Sequence, residues 1–227
     1  MKQIGIIKME AEIEVINGLA IGGGKEDIEI GGIDNQVIKD PRTGFPYIPG
    51  SSVKGKLRFL SEWRLQKVSA ADGGKTHCCA DPECDVCRIF GTLDMENKKG
   101  PTRLLVRDAE LIVKNDYEPE KTIEIKYSTA INRLSGTAEG KTLRNMERVT
   151  PGTKFSFELV FRIFDDGDAG AKDLTRFGIV AKALEWLEND TLGGSGSRGC
   201  GKIVFRKICL SGLKNGEFAS VAELIAA

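Results

Sequence analysis

Residues 155–163 place Phe155, Phe157, Leu159, Phe161 and Ile163 at alternate positions, with Ser156, Glu158, Val160 and Arg162 between them. A period of two over this length is that of a strand with one buried face. An apolar strand face has to be covered by a second layer, so the rest of the chain must supply one. Met9, Ala11, Ile13 and Val15 alternate with Glu10, Glu12 and Glu14 in the same manner and predict another strand with a charged outer face. Helical periodicity supplies the covering layer. After Ser51 or Ser52, either of which can cap a helix, Val53, Leu57, Phe59, Leu60 and Trp63 form one broad apolar sector. Lys54 and Arg58 share the opposite side and Lys56 lies nearer the apolar edge, while Trp63 is expected in the core. A second helix opens near Asp173, read as its cap, with Leu174, Phe177, Val180, Ala181, Leu184 and Leu187 on its apolar face. Strand-like pieces at 104–106 and 111–113 and a last strand at 202–209 complete the order strand, helix, strands, helix, strand. That order is an α+β pattern and fits a ferredoxin-like sheet with insertions.

A chain of 227 residues with 41% hydrophobic content suits one large domain. No apolar run reaches the length needed to cross a bilayer, and the acids in "MKQIGIIKMEAEIEV" do not fit a signal peptide, so a cytoplasmic location and no membrane partner are expected. Lysine plus arginine equals aspartate plus glutamate, 33 each, which argues against a nonspecific nucleic-acid coat and leaves room for a local basic groove. The segment 121–150 has six Lys or Arg against three Glu and no core periodicity, and reads as a projecting hairpin or long loop.

"THCCADPECDVC" holds His77, Cys78, Cys79, Cys84 and Cys87. The C-x2-C knuckle of Cys84 and Cys87 lets two thiolates meet one tetrahedral ion, and the expected zinc set is His77, Cys79, Cys84 and Cys87, with Cys78 as a substitute for Cys79. Such a set has no open position, so the ion is a structural staple for a loop at 70–88. A redox-active pair would need a βαβ setting that the sequence lacks. Cys200 and Cys209 are expected to be small apolar fillers.

"GSRGCGK" matches a G-x-x-x-x-G-K phosphate loop, but Ile203 follows it where a Ser or Thr is required, and it leads from a helix into a strand. Nucleotide hydrolysis is excluded. Seven glycines or serines among residues 193–201 exceed the needs of a turn, and backbone without side chains can close on another chain or on a phosphate backbone beside Arg198. Asp34, behind Gly31 and Gly32, is either a turn residue or a carboxylate held near a charged ligand.

Five stretches in register, "IGGIDNQVIKD", "PYIPGSSVKGKLR", "CDVCRIFG", "LRNMERVTPGTKF" and "LGGSGSRGCGK", resemble the RAMP superfamily and, more narrowly, the repeated backbone subunit of type III-A CRISPR effector complexes. The resemblance implies a modified ferredoxin-like or RRM-like palm spanning 1–227, with a zinc-binding insertion at 70–90 and a projecting thumb-like β-hairpin at 121–150. It implies that copies of the chain stack as a filament on a guide RNA, together with other subunits of the complex. The thumb displaces a nucleotide of the guide–target duplex at regular intervals. Bound target RNA is cleaved beside each displaced nucleotide with a divalent ion, Mg2+ or Mn2+, and one aspartate, by motif position Asp34. The basic residues expected on RNA are Lys54, Lys56 and Arg58 on the helix, Arg133, Arg144 and Arg148 on the hairpin, and Arg198 in the tail, where they position phosphates without reading sequence. The doubled cysteine at 78 and 79 departs from common members. A purely structural RNA-binding subunit has no use for Asp34. A guide-processing nuclease of the same superfamily usually works through a histidine, and the only one here, His77, falls in the cysteine cluster.

Overall fold

The computed structural model describes residues 1–22, 35–70, 73–92, 100–113, 119–140 and 142–226. Its elements in chain order are β1 (Lys2–Val15), α1 (Gly50–Arg64), α2 (Asp85–Phe90), β2 (Leu104–Val106), β3 (Ile123–Ser128), β4 (Arg144–Val149), β5 (Lys154–Asp165), α3 (Ala171–Glu188), β6 (Ile203–Gly212), β7 (Gly216–Phe218) and α4 (Val221–Ala226). Five strands form one antiparallel sheet in the order β2-β5-β1-β6-β7. Within it β1, α1, β2, β5, α3 and β6 follow one another as β-α-β-β-α-β, the pattern the periodicities call for. β1 is central because its alternation is matched residue for residue by β5 from Gly5 opposite Ile163 to Glu14 opposite Lys154, and β6 pairs with its other edge. The inward set of β5, Phe155 to Ile163, is buried with Ile7, Met9 and Ile13 of β1 and with Val180, Leu184 and Leu187 of α3. Ring pairs tie sheet to helix and strand to strand, Phe161 to Phe177 at 5.7 Å and Phe157 to Phe205 at 5.2 Å between centroids. Each such side chain contributes about 1.5–3 kcal/mol by leaving water. Among the described residues no helix is long and apolar enough to cross a membrane.

Four details depart from the sequence-based expectations. β1 begins at Lys2, well before Met9. Ile4 and Ile6 point outward and remain 42% and 38% exposed, and the register shifts between Gln3 and Gly5, so the alternation is hidden at that end. Residues 111–113 make only a bridge, Leu111 to Phe155. α1 is not capped by Ser51 or Ser52, which lie inside it. Its cap comes from a distant loop, where Asp108 Oδ1 accepts the Gly50 N–H at 2.7 Å. A Cβ on Gly50 would meet the Val106 carbonyl at 2.4 Å, so that approach requires glycine. Finally, Asp173 does not cap α3. Gly170, at φ 82°, precedes the helix, Asp168 accepts the Lys172 N–H at 2.9 Å, and Asp173 is buried in the first turn.

α1 also presents a different face from the one expected. Val53, Leu57 and Leu60 are buried, but Phe59 and Trp63 are 48% and 59% exposed. Core packing of Trp63 is therefore corrected: the wheel's apolar sector is wider than the face that α3 and β2 cover. The segment 121–150 contains the two-stranded antiparallel sheet β3–β4, paired from Ile123–Val149 at its root to Ser128–Arg144. A bridge from Leu19 to Val149 fastens that root to the chain leaving β1.

Candidate functional site

Asp34 lies outside the described residues. The segment that follows it is held firmly from β4. The Glu147 N–H donates to the Asn35 carbonyl at 2.9 Å, Glu147 Oε2 accepts the Val37 N–H at 3.0 Å, and Oε1 accepts Lys39 Nζ at 3.2 Å. On the other side the Ile38 N–H donates to the Ile21 carbonyl at 2.9 Å. Glu147, in "NMERV", was not singled out by charge or spacing; only a partner more than a hundred residues away in sequence gives it this work. Asp40, the next acid, closes a turn: its Oδ1 accepts the Arg42 N–H at 2.8 Å, and the Arg42 guanidinium holds its carboxyl below the usual carboxylate range.

The three cations of α1 differ. Lys54 is half-buried and makes no ion pair among the described residues. Burial, then the neighbouring charges of Arg58 and Arg162, pull its pKa below the ordinary lysine value. A cation in that position is stabilised by an incoming anion. Lys56 pairs with Asp190 at 3.3 Å and lies over the Phe59 ring at 4.9 Å. Arg58 is not the free phosphate contact the helix pattern suggests. Its guanidinium binds Glu62 at 2.7 Å and the carbonyls of His77 at 2.6 Å and Gly91 at 3.2 Å. It clamps the cysteine-rich loop onto α1.

That loop gathers His77, Cys79, Cys84 and Cys87, whose ligand atoms all lie within 4.8 Å of one another. Cys84 Sγ is 3.4 Å from His77 Nε2 and Cys79 Sγ is 4.0 Å from Cys87 Sγ. Two sulfurs bound at about 2.3 Å to one tetrahedral ion stand roughly 3.8 Å apart, so the set fits a four-coordinate metal. Cys78 is exposed and its Sγ is 2.9 Å from Thr92 Oγ1, which leaves Cys79 as the inward thiol. Burial pushes the Cys84 thiol up to about 11. A redox knuckle needs the opposite shift.

Part of the basic hairpin and the glycine-rich tail come together at the end of β3–β4 away from its root. Lys126 Nζ donates to the Arg198 carbonyl at 2.6 Å. Arg144 and Arg198, with Ser128, Thr129 and Thr142, line a cavity of about 380 Å³. Arg148 faces the same tail but pairs with Glu124 at 2.7 Å, and Arg133 is exposed at the far turn. Two of the tail glycines serve the protein itself. A Cβ on Gly193 would meet the Ala20 carbonyl at 2.4 Å, and one on Gly201 the Leu192 carbonyl at 2.4 Å. Both have positive φ, 75° and 89°. The tail is thereby pressed onto residues 18–21, through Gly194 N–H to Ala20 O at 2.7 Å and Gly201 N–H to Gly18 O at 2.8 Å. It then opens β6, not a helix, in keeping with the exclusion of a nucleotide-hydrolysing loop.

A family model described as the RAMP superfamily matches residues 12–204. A protein of Methanocaldococcus jannaschii named "CRISPR system Cms endoribonuclease Csm3" is 45% identical over 208 residues, covering 91% of this chain and 81% of that protein. A Streptococcus thermophilus protein of the same name is 38% identical, over 89% of this chain and 88% of its own. A solved structure described as the Csm3-Csm4 subcomplex in the type III-A CRISPR-Cas interference complex covers 100% of this chain and 96% of that chain, with a TM-score of 0.63 and 31% identity.

Proposed function

The chain belongs to the RAMP superfamily, and on that premise we propose that it is the endoribonuclease backbone subunit of a type III-A CRISPR interference complex, holding a guide RNA and cutting target RNA paired to it. The observation that carries this is the near full-length likeness to relatives named Csm3 endoribonucleases. We read the five-stranded sheet as a modified ferredoxin-like palm, 70–90 as a zinc-binding insertion and 121–150 as a thumb-like hairpin. Copies stack as a filament along the guide, with other subunits of the complex as neighbours, and cleavage recurs at regular intervals.

Lys54, Arg144 and Arg198 are the cations we assign to RNA phosphates. Lys54 lacks a carboxylate partner among the described residues, and the two arginines share a cavity with three hydroxyl side chains. Sequence choice then rests on pairing with the guide, as in other guided effectors. Cleavage needs the target 2′-hydroxyl in line with its own phosphorus and the departing 5′-oxygen. Holding the backbone on either side of a displaced nucleotide supplies that alignment. Asp34 stands beside the phosphate, and a magnesium or manganese ion held there would supply positive charge to the phosphorus-centred transition state. Glu147 ties Val37 and Lys39 to the hairpin. A guide-processing reaction through His77 is disfavoured, because its Nε2 turns toward Cys84.

Two experiments test this reading. Lys54→Ala, and separately Arg144→Ala with Arg198→Ala, weaken RNA binding evenly across sequences and lower the salt slope by about one per lost contact. Unchanged affinity and slope in both would remove these cations from the interface. Second, protein never exposed to chelator carries about one zinc per chain by elemental analysis. Cys78→Ser keeps it and Cys79→Ser lowers it; zinc far below one equivalent in the unaltered chain would sink the assignment.

A further inference from the structure

The four side chains of the cysteine–histidine cluster come from two pieces of chain that are built differently. Cys84 caps α2 and Cys87 lies within it. Around them Arg176 of α3 holds Asp85 at 2.9 Å, and Arg88 donates to the Pro82 carbonyl at 2.7 Å. That piece is anchored to the interior by its own network. His77 and Cys79 instead lie in an irregular segment, 75–80, each between exposed neighbours. Irregular, exposed backbone opens readily and does not keep a ligand pose on its own.

α1 supplies the pose. Glu62 Oε1 accepts the His77 N–H at 3.2 Å, and Arg58 Nη2 donates to the His77 carbonyl at 2.6 Å. Both backbone groups of one ligand residue are therefore fixed by two side chains that pair with each other at 2.7 Å. Arg58 Nη1 also donates to the Gly91 carbonyl at 3.2 Å, where α2 ends. One guanidinium thus spans from the irregular segment to the helix that carries Cys87. It joins through backbone the same two pieces that an ion joins through side chains. A planar fork suits this use because its donors point in fixed directions, whereas a lysine ammonium is a single point on a flexible stem. The pair is sheltered, with side chains 16% and 9% exposed, and it runs Arg then Glu along the helix, the less favourable order for helix stability itself.

We propose that Arg58 and Glu62 are positioning residues for the metal: they hold His77 opposite Cys84 before an ion arrives and so set the affinity of the site. His77 Nε2 stands 3.4 Å from Cys84 Sγ. Nitrogen and sulfur bound to one tetrahedral zinc stand roughly 3.6 Å apart, so the pose is already the ligating one. The segment is ordered when α1 folds, and less of the free energy of metal binding goes into ordering it. The inference rests on the reading of 70–90 as a zinc-binding insertion and names what presets it.

The test measures zinc affinity by competition with a chromogenic chelator, in the unaltered chain and in Arg58→Lys, Glu62→Ala and Glu62→Gln. Arg58→Lys and Glu62→Ala lose about 10–100-fold in affinity, the usual effect of removing a group that orients a metal ligand. Glu62→Gln binds zinc as the unaltered chain does, because its amide oxygen still accepts the His77 N–H. Denaturant unfolding of the metal-free proteins separates a merely structural role. A pair that only stabilised α1 would lower that midpoint and leave the zinc affinity of the folded chain alone. Unchanged affinity in both Arg58→Lys and Glu62→Ala overturns the proposal. So does a loss in Glu62→Gln equal to that in Glu62→Ala, which would trace the effect to charge instead of position. Failure of the zinc reading shows separately, as an unaltered chain that takes up no zinc, and the proposal falls with it.

Discussion

Asp34→Ala assembles into complexes, binds guide and target as the unaltered chain does, and loses target cleavage by several orders of magnitude, on the order of 5 kcal/mol of transition-state stabilisation. The size follows from what the residue is asked to do. A carboxylate next to a phosphate is repelled unless a cation stands between them. On the proposed function its loss removes an interaction made in the transition state and leaves the ground-state contacts proposed for Lys54, Arg144 and Arg198 in place, so the rate falls while affinity holds. Asp40 is the matched control. Its carboxylate already closes the 40–45 turn onto Arg42, and Asp40→Asn leaves the cleavage rate where it was. The measurement is cleavage of a paired target by assembled complexes in magnesium or manganese, with chelator as the blank. Full activity in Asp34→Ala would return that acid to a turn role and favour a structural RNA-binding subunit.

The sequence spoke most clearly where local pattern and tertiary use coincide. The alternation of 155–163 is the inward face of β5, and the Cys84–Cys87 knuckle with His77 is a gathered ligand set because short spacing alone brings those atoms together. The choice between Cys78 and Cys79 was not legible, since it depends on Thr92 Oγ1 taking the outer thiol. α1 was legible as a helix, but it begins at Gly50, two or three residues before the start that a cap at Ser51 or Ser52 gives, and its cap is Asp108, 58 residues away, to which no local signal points. Arg58 shows the limit of helical-wheel reasoning for charge. The wheel separates it from the apolar side, while the loop that folds over it supplies two carbonyls and turns a surface cation into a clamp. Phe59 and Trp63 show the same limit for apolar residues: the wheel says which residues share a face, and only the neighbouring elements say how much of that face is covered.

Asp173→Ala lowers folding stability by about 3–5 kcal/mol, the cost of leaving buried charges without their partner. Both oxygens of Asp173 are committed in the interior. Oδ2 accepts Arg103 Nε at 2.9 Å and the Phe164 N–H at 2.9 Å, and Oδ1 accepts Arg176 Nη1 at 2.9 Å. Arg103 is fully buried, also bonded to Asp166 at 3.1 Å and stacked 4.3 Å from the Phe164 ring, so it cannot turn to water when Asp173 is gone. Arg176 continues the network to Asp85 at 2.9 Å and Glu83 at 3.1 Å, the residues on either side of Cys84, and Arg88 ties Asp166 to the Pro82 carbonyl. One acid in the first turn of α3 thus fastens β2, the end of β5 and the metal-site loop to a single point. The loss is large against the ~5–15 kcal/mol by which domains are stable, yet leaves a folded protein to measure. Denaturant unfolding of metal-loaded protein reads it as a lower midpoint at unchanged slope. Arg42→Ala, which removes an exposed ion pair, leaves the midpoint in place because solvent screens such pairs. A midpoint for Asp173→Ala equal to that of Arg42→Ala would mean that the two arginines find other partners, and that the fastening is spread across Asp166, Glu83 and Asp85 instead of centred on Asp173.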